Sequence, residues 1–238
     1  MKSFFFSRHV VWLPKWWLIL LGFLLISILI WVAVRHVATY LAVTEPINGQ
    51  YLIVEGWQDE TSLKQALAMF HLHHYQYLIT TGGPDTRHIR PKYKTYAEQS
   101  AAFLVANGLK ADKLIVIPTP ASAQDRTFLS AVMVRKWLEN NNMTKEKMDI
   151  FTEGVHARRT LTLYKMAFQS NDNFGIYASK PNNYSLSAWW KTSDGAKSVL
   201  TEVAGMLWVT CCFDPGKYGS HQEMWGSNQG VSQLDFIN

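Results

Sequence analysis

Two hydrophobic patterns divide this chain. Residues 16–34 carry no charge, and the stretch from Leu18 to Val34 is almost wholly apolar. After residue 50, short apolar runs alternate with longer segments in which apolar residues recur at helical spacing. Such short runs are typical of buried parallel strands, and the longer segments are typical of amphipathic helices. The pattern therefore predicts one N-terminal apolar helix followed by one α/β domain.

The apolar segment predicts a membrane anchor over residues 16–38. A membrane span needs about 20 apolar residues, whereas the core of a signal peptide usually has about 7–15. The length therefore favours a segment that is retained. Cleavage after a small residue near Ala38 or Ala42 is the alternative.

The flanking charges predict how the anchor is oriented. Lys2, Arg8 and Lys15 precede the uncharged stretch that ends at Val34, whereas Arg35 alone follows it closely. By the positive-inside rule, this bias places residues 1–15 in the cytoplasm and the folded domain on the opposite side of the bilayer.

The remaining chain predicts a Rossmann-like parallel sheet with helices on both faces. A short tether, residues 39–50, precedes an α/β domain over residues 51–213, and the glycine-rich, polar residues 214–238 predict a flexible tail. Strands that alternate with helices favour right-handed crossovers. The predicted strands lie at 51–54, 77–80, 114–117, 150–151 and 174–177.

Three of the predicted helices have a candidate N-cap, namely Asp59, Asp125 and Ser193. In the last of these helices, Glu202 falls among the apolar residues of the inner face.

The segment after the fourth predicted strand is the strongest candidate for a functional site. His156, Arg158 and Arg159 fall in the first turn of a predicted helix. Cations are disfavoured there, because unpaired N–H groups already make a helix N-terminus partly positive. The two arginines therefore indicate a bound anion, most often a phosphate or a carboxylate. The alternative is that both side chains bend into water or meet surface carboxylates.

Two other turns are expected to reach the same place. Arg126 and Thr127 begin another helix, and the second strand ends in Thr81, Gly82 and Gly83. Open α/β sheets bind ligands beyond the carboxyl ends of their strands, so these residues are ligand-binding candidates. A glycine pair lets the backbone approach a ligand closely, although it is also an ordinary tight turn.

Acid–base chemistry is assigned to the same edge of the sheet. His156 is a candidate general acid or base, and Glu55 or Glu153 is a candidate to orient it or to bind ligand hydroxyls. Glu55 and His156 are the catalytic candidates, and Gly56 and Glu153 join the ligand-binding set. The alternative for His156 is a polar residue that closes a turn.

Composition narrows the classes of function. The net charge of +5 is modest, and no basic block with interleaved aromatic residues indicates nucleic-acid binding. The chain lacks a dinucleotide fingerprint, a P-loop and a Gly-x-Ser-x-Gly elbow. The adjacent Cys211 and Cys212 offer no ordinary disulfide framework and are interpreted as small core residues. No metal site is predicted, because His71, His73 and His74 do not share one helix face.

The order of these motifs resembles the YdcF/SanA/ElyC family of bacterial proteins over residues 50–178. The most specific parts are the Thr81-Gly82-Gly83 turn, Thr127, and His156 with Arg159. The resemblance implies a bacterial inner-membrane protein with one span, an extracytoplasmic Rossmann-like domain, and a role in envelope integrity, peptidoglycan or lipid-carrier metabolism. One cytoplasmic branch of the family is associated with S-adenosylmethionine binding.

The chain also departs from the family pattern. Glu55-Gly56-Trp57 replaces a glycine-rich first turn, and Tyr96 stands where a glutamate is common. Leu129-Ser130 replaces a Glu-Asn pair after Thr127. These departures indicate a divergent branch whose ligand need not be that of its relatives.

The leading hypothesis is a cell-envelope protein that binds a phosphate-bearing small molecule or a lipid carrier, such as a polyprenyl phosphate. The sequence leaves open whether it also hydrolyses or transfers a group, and it identifies no cofactor. One alternative is an S-adenosylmethionine- or nucleotide-binding module without catalysis. The other is an envelope scaffold that uses Trp189 and Trp190.

Overall fold

The computed structural model describes residues 14–85, 92–121, 124–143, 146–170 and 172–226. It divides into two compact units, with the boundary between Val37 and Ala38. Helix α1 (Trp16–Leu41) supplies the described part of the first unit and continues for one turn into the second. By length and composition, this helix is able to cross a membrane. Its orientation and the type of membrane stay predictions, and Lys2 and Arg8 lie outside the described residues.

The second unit is built on five parallel strands. Their spatial order is β3-β2-β1-β4-β5, so the chain moves outward in one direction through β1, β2 and β3 and then crosses back to β4 and β5. This arrangement confirms the predicted Rossmann-like parallel sheet. The strands are β1 (Tyr51–Glu55), β2 (Tyr77–Gly82), β3 (Leu114–Pro118), β4 (Met148–Thr152) and β5 (Phe174–Ala178).

Six helices follow α1 in the described part of the chain. They are α2 (Glu60–Leu72), α3 (Tyr96–Ala106), α4 (Arg126–Asn140), α5 (Ala157–Phe168), α6 (Ser193–Cys211) and α7 (His221–Trp225). Asp59 and Asp125 cap α2 and α4 as predicted, because each carboxylate accepts first-turn N–H groups. The cap of α6 is Thr192 rather than the predicted Ser193.

The alternation of side chains along each strand creates two cores. Tyr51 and Ile53 of β1 face α4 and α5, whereas Leu52 and Val54 face α2 and α3. Because helices cover both faces of the sheet, successive side chains along β1 are all buried, and its sequence is a continuous apolar run up to Glu55. The helices therefore lie on both faces, as the sequence predicted.

The predicted tether is part of the folded unit. Val43 is buried, and Glu45 forms an antiparallel bridge with Ile176 of β5. The buried carboxylate of Asp149 accepts hydrogen bonds from the N–H groups of Ile47 and Gly49, each at 2.8 Å. These bonds hold the segment against the sheet, so little free chain separates α1 from the domain.

The predicted flexible tail is wrong for its described part, residues 214–226. Helix α7 carries Glu223, which is buried and forms a bidentate ion pair with buried Arg135 of α4 at 2.7 Å. A buried charge pair of this kind fixes the segment to the domain. Residues 227–238 lie outside the described residues.

The interpretation of Cys211 and Cys212 as core residues is also wrong. Both residues are exposed, and their sulfur atoms are bonded to each other. Cys211 is the last residue of α6, and Cys212 is its C-cap.

Candidate functional site

A cavity of about 470 Å³ opens at the carboxyl ends of β1 and β2. It lies where the strand order reverses between β1 and β4, which is the position at which open α/β sheets bind ligands. Its volume is typical of sites for small organic ligands. The lining residues are Glu55, Trp57, Gly82, Gly83, Tyr96, Asp125, Arg126, Thr127, Ser130, His156, Arg159 and Glu202.

His156 is the central polar side chain of this cavity. It ends a short 3₁₀ turn, residues 154–156, and its Nδ1 lies 2.9 Å from Oε1 of Glu202. Nη2 of Arg159 lies 2.9 Å from the same Nδ1 and 3.1 Å from the same Oε1. A guanidinium only donates and a carboxylate only accepts. We therefore assign the proton to Nδ1, which donates to Glu202 while Arg159 donates to the same oxygen.

This tautomer leaves Nε2 of His156 as a hydrogen-bond acceptor. Oγ1 of Thr127 lies 3.4 Å from Nε2, and Oε2 of Glu55 lies 3.8 Å from it. The ring of Trp57 packs edge-on against the imidazole, with the centroids 5.0 Å apart. Because the ring is held on both sides, Nε2 has a fixed direction within the cavity.

Glu55 is a buried carboxylate at the end of β1 and is only 2% exposed. The hydroxyl groups of Thr152 and Thr160 donate hydrogen bonds to its Oε2. These bonds satisfy much of the carboxylate's need for donors and fix its orientation. Glu55 therefore lies next to His156, but beyond hydrogen-bond distance.

The charge of Arg159 is compensated within the protein. Its Nε donates to Oε2 of Glu202 at 2.9 Å, and its Nη1 lies 3.6 Å from Oδ2 of Asp125. Burial alone would raise the pKa of Glu202, but hydrogen bonds from His156 and Arg159 lower that pKa to about 2. The guanidinium of Arg159 is therefore paired with Glu202 and Asp125, which leaves less of its charge available to a free anion than the sequence suggested.

Arg126 and Arg158, the other two arginines of the predicted binding set, lie in different places. The guanidinium of Arg158 lies over the ring of Tyr40 at 3.8 Å, and its Nε donates to the carbonyl oxygen of Tyr40. Arg158 does not line the cavity, so the structure does not bring it together with His156 and Arg126. Arg126 does line the cavity, is exposed, and forms no salt bridge with any part of the chain that the structure describes.

The N-terminus of α4 provides less anion binding than expected. The carboxylate of Asp125 already accepts hydrogen bonds from the N–H groups of Thr127 and Phe128. A bound anion would have to displace this cap. An anion at this helix would therefore depend mainly on the side chain of Arg126.

Close packing accounts for the glycines at the strand ends. Gly82 has φ +151°, and a Cβ there would lie 3.0 Å from Cβ of Tyr96. A Cβ at Gly83 would lie 2.9 Å from Oγ1 of Thr119, and one at Gly56 would lie 2.4 Å from the carbonyl oxygen of Tyr96. Gly82 and Gly83 still line the cavity, whereas Gly56 lines a neighbouring one.

Two further candidates lie off the main cavity. Thr81 is buried, and within the described residues its hydroxyl has no hydrogen-bond partner. Glu153 lines the two neighbouring cavities instead of the main one. Burial, followed by the charge of Asp59, raises the pKa of Glu153. Thr81 lines none of these cavities, whereas Glu153 shares one of the neighbouring cavities with His156.

Sequence reasoning missed the partners of His156. Glu202 was noted only as a charged residue on the inner face of the last long helix, and that placement was the available signal. Trp57 and Asp125 were identified as turn and cap residues without a role in the site. Ser130 was seen only as part of a departure from the family pattern.

Other classes of site have less support in the structure. Within the ranges that the structure describes, no group of three His, Cys, Asp or Glu side chains is placed to hold a metal ion.

No protein-family model matches this chain, and no sequence among the curated proteins matches it significantly. The resemblance to the YdcF/SanA/ElyC family therefore stays a prediction.

Proposed function

We propose that this protein is a membrane-anchored cell-envelope hydrolase or transferase that acts on a phosphate-bearing small molecule or lipid. One observation carries the proposal: His156 is held by Glu202 through Nδ1 and presents Nε2 to the hydroxyl of Thr127 inside the cavity. A histidine oriented by a carboxylate on one side and facing a hydroxyl on the other is a proton-transfer unit.

The proposed reaction uses His156 first as a base and then as an acid. Nε2 removes the proton from water in a hydrolase, or from an acceptor hydroxyl in a transferase, as that oxygen bonds to the electrophilic centre of the substrate. The protonated imidazole is stabilised by Glu202. It then gives its proton to the departing oxygen as the bond to the leaving group breaks, so His156 returns to its neutral form.

The ionic side chains of the cavity limit where the phosphate binds. Glu55, Asp125 and Glu202 are acidic, whereas Arg126 and Arg159 are basic. Because Arg159 is already paired with Glu202 and Asp125, the phosphate is expected to bind at Arg126. Glu55 then lies where it would repel a second anionic group and accept a hydrogen bond from a substrate hydroxyl.

The membrane part of the proposal is supported by α1. A single apolar helix followed directly by a folded unit is the organisation of a single-pass anchored domain. The charge bias in the sequence and the family resemblance favour a bacterial inner membrane, with the N-terminus in the cytoplasm and the domain outside. A polyprenyl phosphate or another anionic lipid is a substrate of suitable chemistry there.

The direct test begins with the purified full-length protein in mild detergent. Native mass spectrometry identifies bound anionic molecules, and turnover is measured with para-nitrophenyl phosphate, bis(para-nitrophenyl) phosphate and a polyprenyl diphosphate. We expect His156→Ala to retain the bound anion and to lose turnover. We expect Arg126→Ala to lose the bound anion, and Arg158→Ala to behave as the wild type.

Two results would count against the proposal. Turnover that is equal in wild type and His156→Ala would remove the catalytic role of the histidine. An anion retained equally by Arg126→Ala and Arg158→Ala would show that the phosphate does not bind in this cavity.

A further inference from the structure

We propose that the outer face of α6 rests on the surface of the lipid bilayer and gives the domain a second membrane contact beyond α1. This face consists of Leu200, Ala204, Leu207, Trp208 and Cys211, which are all exposed. The inference rests on the membrane anchoring in the proposed function, and it is independent of the reaction in the cavity.

The exposure of this face is unusual for a helix of a water-soluble domain. Leu200, Leu207 and Trp208 are 59%, 62% and 55% exposed. They follow one another at positions i, i+7 and i+8, so they lie on one side of the helix. The opposite side already packs inward through buried Val199 and Val209. A contiguous apolar face left open in this way marks an interaction surface.

The connection of the chain favours the bilayer as the occupant of this face. The second unit begins at Ala38, within the same helix that carries the candidate span, and Ala38 and Leu41 are already buried. Little free chain is therefore available to hold the domain away from the membrane. A lipid surface is present beside the domain whenever α1 is inserted.

Two adjacent residues of α5 link α6 to the point where the chain enters the domain. Arg158 stacks on Tyr40, in the last turn of α1. Arg159 pairs with Glu202 of α6, and a Cβ at Gly205 would lie 3.0 Å from Nε of Arg159. Tyr40 and α6 thus flank the same turn of α5. Helix α6 therefore lies close to the point where the chain enters the folded unit.

The composition of the face suits a lipid headgroup region. Trp208 combines a large apolar ring with one N–H donor, a chemistry that is favoured at membrane interfaces. Lys197 is exposed one turn earlier, and the exposed positions of α6 after Asp194 contain no acidic residue. Approach to an anionic lipid surface would therefore meet no repulsion from this face.

Spin labels placed on the full-length protein in vesicles of phosphatidylcholine and phosphatidylglycerol test the proposal. In a Cys211→Ser, Cys212→Ser background, a label is attached to Ala204→Cys, and its accessibility to oxygen is compared with its accessibility to a water-soluble nickel complex. Ile26→Cys reports insertion of α1. Leu72→Cys is the matched control, because Leu72 is an exposed leucine at the end of another helix.

We expect the labels at 26 and 204 to be oxygen-accessible and shielded from nickel, and the label at 72 to be accessible to both. Adding Leu200→Gln, Leu207→Gln and Trp208→Gln should raise nickel accessibility at 204 severalfold without changing position 26. Thermal unfolding of this variant checks that the fold is intact.

If the label at 204 is accessible to nickel while the label at 26 is shielded from it, the bilayer contact of α6 is wrong and the insertion of α1 is retained. A label at 204 shielded from both reagents would show that a protein covers the face, which also overturns the proposal. A water-like label at 26 would remove the anchor itself, and with it both the membrane part of the proposed function and this inference.

Discussion

Nδ1 of His156 lies 2.9 Å from Oε1 of Glu202, although 46 residues separate the two side chains in the sequence. This contact joins the turn after β4 to the middle of α6, and it places a carboxylate behind the imidazole. It also explains why α6, which lies outside the region of family resemblance, belongs to the candidate site.

Replacing Glu202 by glutamine should lower turnover by about 100-fold, within the range that a positioned acid–base group contributes. The amide keeps the size of the side chain but cannot stabilise the protonated imidazole. The loss should appear in kcat with KM little changed, because Glu202 holds His156 rather than the substrate. Glu139→Gln, a partly exposed carboxylate outside the cavity, is the control. A loss confined to KM would contradict this role.

The pH dependence of stability offers a second test of Glu202. Its pKa falls from an ordinary value of 4.5 to about 2 in the folded protein. A lowered pKa adds stability that is fully present above 4.5 and is lost as the pH falls towards 2. We therefore expect the free energy of unfolding, measured with urea, to fall less between pH 4.5 and pH 2 in Glu202→Gln than in the wild type, by roughly 3 kcal/mol.

Glu153 provides a contrast of opposite sign for the same measurement. Its pKa is raised, first by burial and then by Asp59. Its contribution to stability is therefore present at low pH and is lost as the pH rises through the folded-state pKa. Glu153→Gln should increase stability at neutral pH, where Glu202→Gln decreases it. Parallel changes in the two variants would contradict both assignments.

Arg126 and Arg158 make a matched pair for testing anion recognition. Each carries one charge near the start of a helix, but only Arg126 lines the cavity. Arg126→Ala should raise KM for a phosphate-bearing substrate by at least about tenfold, the equivalent of one charge-assisted hydrogen bond. Arg158→Ala should leave KM unchanged. A larger effect at Arg158 would show that the anion binds elsewhere.

The buried pair Arg135–Glu223 should be important for stability. Removing Glu223 leaves the buried guanidinium with only the more exposed and more distant carboxylate of Glu139, so Glu223→Ala should lower the free energy of unfolding by about 3–5 kcal/mol. Glu139→Gln removes a more exposed carboxylate beside the same arginine and should cost at most about 1 kcal/mol. Equal costs in thermal or urea unfolding would argue that α7 is not held by this pair.

Much of the fold could be predicted because its signals are local. The spacing of apolar residues predicted the five strands and the N-terminal apolar helix, and Asp59 and Asp125 marked where two helices begin. The ordered segment around Glu223 could not be predicted in this way, because its glycines and polar residues resemble those of a flexible tail. Its order depends on Arg135, which lies 88 residues earlier.

The sequence by itself determined that several polar and charged turns follow the strands of a parallel sheet and so lie at its carboxyl edge, because strand positions and turn composition are local properties of the chain. Only the tertiary structure decided what each charged side chain does there. Arg158 and Arg159 are neighbours in sequence, yet successive residues of a helix point about 100° apart. Arg158 therefore stacks on Tyr40, and Arg159 pairs with Glu202. The partner that each arginine contacts depends on how helices distant in sequence pack against α5.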